Sequence, residues 1–315
     1  MTTRRDRMAG GLVGLLVGDA LGVPYEFHPA HAIPSLDAIE FEPPHDFRRS
    51  HGATPPGTWS DDGAQALCLL ATLLHRDGFD AGNFANRLTN WLDHGYLAVD
   101  GRVFDVGNQT AEAIGRLRRG VEPLKAGGEA EFSQGNGSLM RVLPLALWHR
   151  GPDEALVRNA HDQSRVTHGH PVVLACCALY CLWARRLLEV HPQPWEDALS
   201  ALRAIYADQP RLLEALEDGV RPDAAHTPGG SGFVVDSLFS AREALRAGSY
   251  EVVVKTAVSY GEDTDTTACI AGGLAGIRDG VEAIPLRWRD GLRGQDDLAP
   301  LLEGLLAAVA AEEIG

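Results

Sequence analysis

Residues 250–255 read Tyr-Glu-Val-Val-Val-Lys, and the fold class turns on this run. Three successive β-branched residues favour a strand, but a strand needs a partner, and the run sits between segments of helical period. Leu238, Ala241 and Leu245 recur on one helical face. Leu199, Leu202, Ile205 and Tyr206 do the same, and Leu298, Leu301, Leu302, Leu305 and Leu306 form a closing stripe. Period-2 alternation is scarcely visible elsewhere, so the sequence predicts an all-α fold. Gly and Pro cluster at 43–57, 120–137 and 221–232, which read as loops. None is long or low enough in complexity to be a linker and no internal repeat is present, so residues 1–315 are expected to form one domain.

Small residues are dense in two of the expected helices. Gly10, Gly11, Gly14, Gly18 and Gly22 punctuate the first, while Ala268, Ala271, Gly272, Gly273, Ala275 and Gly276 crowd another. Each helical Gly costs up to about 1 kcal/mol relative to Ala. Close approach of helix backbones deep in the protein would offset that cost.

Composition is that of a globular protein, 45% hydrophobic and 23% charged, with a formal net charge of −15. A field of that sign repels nucleic-acid backbones, so non-specific nucleic-acid binding is not expected; a small anion held by local N–H groups remains compatible. The five cysteines (Cys68, Cys176, Cys177, Cys181, Cys269) are odd in number, lie among apolar neighbours and lack CxxC spacing. They read as reduced core residues of a cytoplasmic protein. Arg4, Arg5 and Arg7 precede an apolar run, as in a secretory signal, but the run leads into Gly18-Asp19 without a small-residue cleavage site. The apolar stretch Val172 to Ala184 is too short to span a bilayer and ends at Arg185-Arg186, so it reads as a buried helix and no membrane association is expected.

Two acidic clusters carry the chemistry. Ser60-Asp61-Asp62 stands directly before an apolar, helix-like run, and Gly261-Glu-Asp263-Thr-Asp265-Thr266-Thr precedes the second small-residue helix. Either cluster alone is compatible with helix capping, since Ser and Asp satisfy free N–H groups and favour the helix dipole. Two oxygen-only clusters, each feeding a helix, also suit a hard divalent cation if they converge, because converging carboxylates repel unless protonated, solvated or bound to cations. A third feature, Gly135-Asn136-Gly137-Ser138-Leu-Met-Arg141, is a Gly-rich turn whose N–H groups could cradle a phosphate with Arg141 as charge partner. His168 and His170 could donate to a phosphate or a ribose.

Taken in order, GLLVGDALGVPYEF, GTWSDDGAQALCL, FDVGNQT, GNGSLMRVLPLAL, SRVTHGHP, SGFVVDSL and GEDTDTTACIAGGLAGI resemble the ADP-ribosylglycohydrolase family, most of all its bacterial dinitrogenase reductase-activating branch. The match runs from about residue 8 to about residue 290. The resemblance implies a compact orthogonal helical bundle with two Mg²⁺ or Mn²⁺ ions at the bottom of a cleft. It implies Ser60, Asp61 and Asp62 as metal ligands on one side and Asp263, Asp265 and Thr266 on the other. Glu26 matches a glutamate near the scissile bond, and Asp105 an acidic residue at the bound ribose. Asn136, Gly137 and Ser138 match the pyrophosphate loop, and His168 a residue lining the ADP-ribose cleft. Gly63 stands where the family carries a second Thr, which removes a hydroxyl from the site or its surroundings.

The implied activity is hydrolysis of the bond between C1″ of ADP-ribose and an acceptor on a modified protein or other molecule, releasing ADP-ribose, with one of Glu26, Asp62 or Asp105 as general acid or base. Two other functions fit the same residues: an inactive ADP-ribose binder or structural protein on this scaffold, and a metal-dependent nucleotide phosphoesterase.

Overall fold

A computed structural model describes residues 2–310. Fourteen α-helices follow one another among these residues, with no sheet: α1 (Arg4–Gly22), α2 (Asp61–Arg76), α3 (Ala81–His94), α4 (Asn108–Arg118), α5 (Leu143–Trp148), α6 (Asp153–Arg165), α7 (Pro171–Leu188), α8 (Pro194–Tyr206), α9 (Pro210–Glu214), α10 (Val234–Ala244), α11 (Tyr250–Ser259), α12 (Thr264–Asp279), α13 (Leu286–Gly291) and α14 (Gln295–Ala310).

The β-branched run lies in α11. Tyr250, Val253, Val254, Ala257 and Val258 are buried while Val252 is exposed, so burial follows i, i+3, i+4, i+7, i+8. The helical period of the longer window overrides the local preference of three valines. The helical stripes of α8, α10 and α14 face the core as expected: Leu199, Leu202, Tyr206, Leu238, Ala241, Leu298 and Leu305 are all buried. All five cysteines are buried and free.

α1 and α12 form the spine. They run antiparallel with backbones in contact: a Cβ at Gly10 would lie 2.2 Å from the Gly276 carbonyl oxygen, at Gly14 2.5 Å from that of Gly272, and at Gly18 2.1 Å from that of Ala268. At the end of the series a Cβ at Gly22 would lie 2.3 Å from Cα of Asp265. Only glycine fits there, which accounts for the helix-weakening repeats in the sequence. This contact also delivers the N-terminus of α12 to the C-terminal end of α1.

Two helices, Arg4–Tyr25 and Pro171–Leu188, are long and apolar enough to cross a membrane by length and composition; their apolar windows are 100% and 83% buried within the fold.

Candidate active site

Three chain segments meet at the entrance of α12. Ser60 caps α2, its hydroxyl oxygen accepting the Asp62 N–H at 3.2 Å. The capping interpretation of Ser60 is therefore correct, and it coexists with convergence of the two clusters. The Thr266 hydroxyl donates to Asp62 Oδ1 at 3.3 Å across 204 positions of sequence. Carboxylate oxygens of Glu26, Asp263 and Asp265 all lie within 4.8 Å of one another. Asp61, Asp62, Asp263, Asp265 and Glu26 are therefore one group of carboxylates, each buried or nearly so.

Burial, reinforced by neighbouring carboxylates, holds Asp61, Asp62 and Asp265 well above the usual carboxylate range. Burial raises Asp263 too, against hydrogen bonds from Asn136 and Thr266. Burial and then Asp105, Asp263 and Asp62 push Glu26 up to about 11. Oδ2 of Asp62 and Oδ2 of Asp265 are buried with no hydrogen-bond partner among the described residues. Orphaned oxygens in an all-oxygen donor set fit hard divalent cations.

Glu26 stands at the edge of this group. Its Oε2 is 2.6 Å from His51 Nε2, which also lies 4.0 Å from Asp105. The backbone around it is pinned to the α12 entrance, with the Phe27 N–H donating to Glu262 O and the Glu262 N–H to His28 O, both at 2.7 Å. Phe27, His51, Asp105 and Glu262 all adopt left-handed backbone angles, with φ of 63°, 46°, 58° and 59°. Such strain persists only where the surroundings enforce it.

Above the carboxylates opens a cavity of about 690 Å³, lined among others by Glu26, Asp61, Asp62, Asp105, Asn136, Gly137, His168, Asp263 and Thr266. Its size suits a nucleotide-sized ligand. The Gly-rich turn forms one wall. The N–H groups of Gly137 and Ser138 donate to no acceptor among the described residues. The His168 ring packs against the turn: a Cβ at Gly137 would sit 2.8 Å from its Cε1.

Four details differ from the sequence-based expectations. The Asn136 amide donates to Asp263 Oδ2 at 2.7 Å and Ser237 Oγ at 2.9 Å, so it braces the acidic group as well as lining the cavity. The Ser138 side chain points away from the cavity, with its hydroxyl 2.7 Å from Ser164 Oγ, leaving only its backbone N–H for a ligand. Arg141 is fully buried and does not line the cavity, so it is not a charge partner for phosphate there. His170 caps α7, its Nδ1 accepting the Val172 N–H.

Gly63 does not face the carboxylates. A Cβ there would lie 2.7 Å from Leu16 Cδ2 and 2.8 Å from Trp59 Cβ and Cγ, so a Thr hydroxyl at this position could not reach the site without displacing core.

Sequence reasoning missed Asp19, His51 and Gln65. Buried Asp19 accepts from the N–H of Ser60 at 2.9 Å and of Gly63 at 2.8 Å, fastening α1 to the start of α2, and burial raises its pKa to about 7 against those bonds. A lone carboxylate inside a glycine-rich apolar helix was its available signal. His51 carried none, since it lies outside the motifs; Gln65 lies inside GTWSDDGAQALCL, four positions after Asp61, and that helical spacing was its available signal.

The fold and this site define a glycohydrolase: a profile of the ADP-ribosylglycohydrolase family matches residues 1–314, and the chain belongs to that family. It is 33% identical over 285 residues to the ADP-ribosylarginine hydrolase Tri1 of Pseudomonas putida (strain GB-1), covering 90% of this chain and 73% of that protein. It is 28% identical over 289 residues to the ADP-ribosyl-[dinitrogen reductase] glycohydrolase of Rhodospirillum rubrum, covering 90% and 89%. A solved structure titled ADP-ribosylglycohydrolase-related protein complex superposes with a TM-score of 0.77 at 32% identity, covering 97% of this chain and 98% of that one.

Proposed function

We propose that residues 1–315 act as one domain that hydrolyses the C1″ bond between ADP-ribose and a modified protein, with two Mg²⁺ or Mn²⁺ ions as cofactors. The observation that carries this proposal is the meeting of the two acidic helix entrances, with buried, unpartnered oxygens on Asp62 and Asp265. Ser60, Asp61 and Asp62 would hold the ions from one side and Asp263, Asp265 and Thr266 from the other. When bound, such ions supply charge stabilisation to the ribose hydroxyls and lower the pKa of water.

The remaining steps belong to the chain. The free N–H groups of Gly137 and Ser138, with His168, bind the pyrophosphate. Asp105 orients the ribose. Among Glu26, Asp62 and Asp105, proton transfer is assigned to Glu26, because His51 grips its carboxyl at the edge of the group while Asp62 is engaged by Thr266. Loss of the acceptor through an oxocarbenium-like transition state leaves C1″ to water.

The name of the Pseudomonas relative favours an arginine acceptor. The free buried cysteines are in keeping with a cytoplasmic location. The test is a panel of proteins ADP-ribosylated on arginine, on serine or on a nucleobase adduct, incubated with Mn²⁺ or Mg²⁺ and assayed for free ADP-ribose. Release of phosphate or nucleoside monophosphate instead would assign the site to a phosphoesterase, and binding without release to an inactive member.

A further inference from the structure

Arg141 is a fully buried cation whose hydrogen-bond acceptors are all neutral. Its Nη1 donates to Gln65 Oε1 at 2.7 Å, Nε to Gln163 Oε1 at 3.1 Å, and Nη2 to Gln163 O at 2.9 Å and to Thr167 Oγ1 at 2.7 Å. Its guanidinium also lies 5.1 Å from the centre of the Phe84 ring. A buried charge without a contacting counter-charge is costly, and two of its hydrogen bonds lead on to the walls of the cavity.

Toward the acidic group, Gln65 has its oxygen committed to Arg141 and therefore turns its NH₂ to Asp61, donating to Oδ2 at 2.7 Å. Toward the glycine turn, Thr167 Oγ1 accepts from a guanidinium that can only donate, and His168 Nδ1, at 2.8 Å, is the one acceptor among the described residues for the hydroxyl proton. A histidine that accepts at Nδ1 carries its proton at Nε2. That nitrogen lies 3.1 Å from the Cβ position of Gly137 and 3.7 Å from that of Gly135, without a protein partner among the described residues.

We infer that Arg141 is a positioning residue that sets both walls of the cavity: through Gln65 it orients Asp61, and through Thr167 it fixes His168 as the Nε2–H tautomer, a donor toward the diphosphate of a nucleoside diphosphate sugar. Burial, followed by the nearby Arg141, pushes His168 down to about 3 and keeps the ring neutral. His168 is then a fixed donor and takes no part in proton transfer. The identity of the ligand rests on the function proposed above; the relay does not.

The test uses long-range ¹H–¹⁵N NMR of the His168 ring in the whole protein, with calorimetric titrations of ADP-ribose and Mn²⁺. Wild type and Thr167→Ser should show the Nε2–H pattern. Thr167→Val should lose it and bind ADP-ribose about tenfold more weakly, the loss of roughly one hydrogen bond, with Mn²⁺ affinity kept. Gln65→Leu should do the reverse, weakening Mn²⁺ binding and leaving the His168 pattern intact. An Nδ1–H tautomer in wild type overturns the relay, as does a Thr167→Val protein that keeps both tautomer and ADP-ribose affinity. The expected tautomer pattern in a wild-type protein that does not bind ADP-ribose would support the relay and refute the ligand.

Discussion

The α1–α12 pair is cohesive along its length and repulsive at one end. Along the seam, Gly10, Gly14 and Gly18 meet Gly276, Gly272 and Ala268 with backbones in contact and no charged side chain between them. Where Gly22 meets Asp265, the same pair opens onto carboxylates that burial and mutual repulsion hold above their usual range. The seam supplies the close packing that keeps the charges together. The acidic end costs stability until cations or protons offset it.

The largest effect is expected from breaking the seam. Gly18→Leu forces a side chain into a position where even Cβ would lie 2.1 Å from the Ala268 carbonyl oxygen. It should cost about 3 kcal/mol or more and remove folded protein, metal binding and activity together, as circular dichroism and thermal melts would register.

Changing the acidic end should separate what the seam variant loses together. Asp265→Asn removes one charge and an orphaned oxygen. We expect activity to fall by about 100-fold or more, with helical circular dichroism retained. In chelator its melting temperature should rise above that of wild type, because repulsion is relieved, while the stabilisation by Mn²⁺ shrinks. A lower melting temperature in chelator would contradict the repulsive account.

Acidity sharpens the same contrast. In chelated protein, Asp61, Asp62, Asp263 and Asp265 have folded pKa values raised above the unfolded 3.8. Their contribution to stability is complete below that value and is lost as pH rises through the folded values. Under the proposed function cations take the place of those protons, so the gain in melting temperature on adding Mn²⁺ should grow from about pH 5 to about pH 8. Thermal melts with and without chelator across that range check the sign.

The smallest effect concerns Gly63. Because its Cβ position points at Leu16 and Trp59, Gly63→Thr should cost about 1–3 kcal/mol of stability and leave the relative affinities for Mg²⁺ and Mn²⁺ unchanged. Calorimetry with both ions would detect a change in preference.

Elements with a strong period were legible in the sequence. The spacing of Leu199, Leu202 and Tyr206 and the glycine repeats of α1 and α12 record burial and close approach directly in residue order. Even the Val252–Val254 run yields once the window is widened to Tyr250–Val258. The acidic clusters were visible as clusters, but their meeting was not, because Thr266 and Asp62 are 204 positions apart. Interactions fixed only by tertiary contact left no local trace: His51, which meets Glu26 across 25 positions, looks like an ordinary loop residue, and the bond from Arg141 to Gln65 spans 76 positions. Arg141 was misread as a phosphate partner for a related reason, since a turn beside the cavity directs some side chains inward and others, Arg141 and Ser138 among them, into the core.

The most direct test of the central claim is release of ADP-ribose from a protein mono-ADP-ribosylated on arginine, followed with chelated enzyme before and after addition of Mn²⁺ or Mg²⁺. The account predicts no release in chelator, recovery on adding either ion, and no recovery in Asp265→Asn. Undiminished release in chelator, or full recovery in Asp265→Asn, would contradict it.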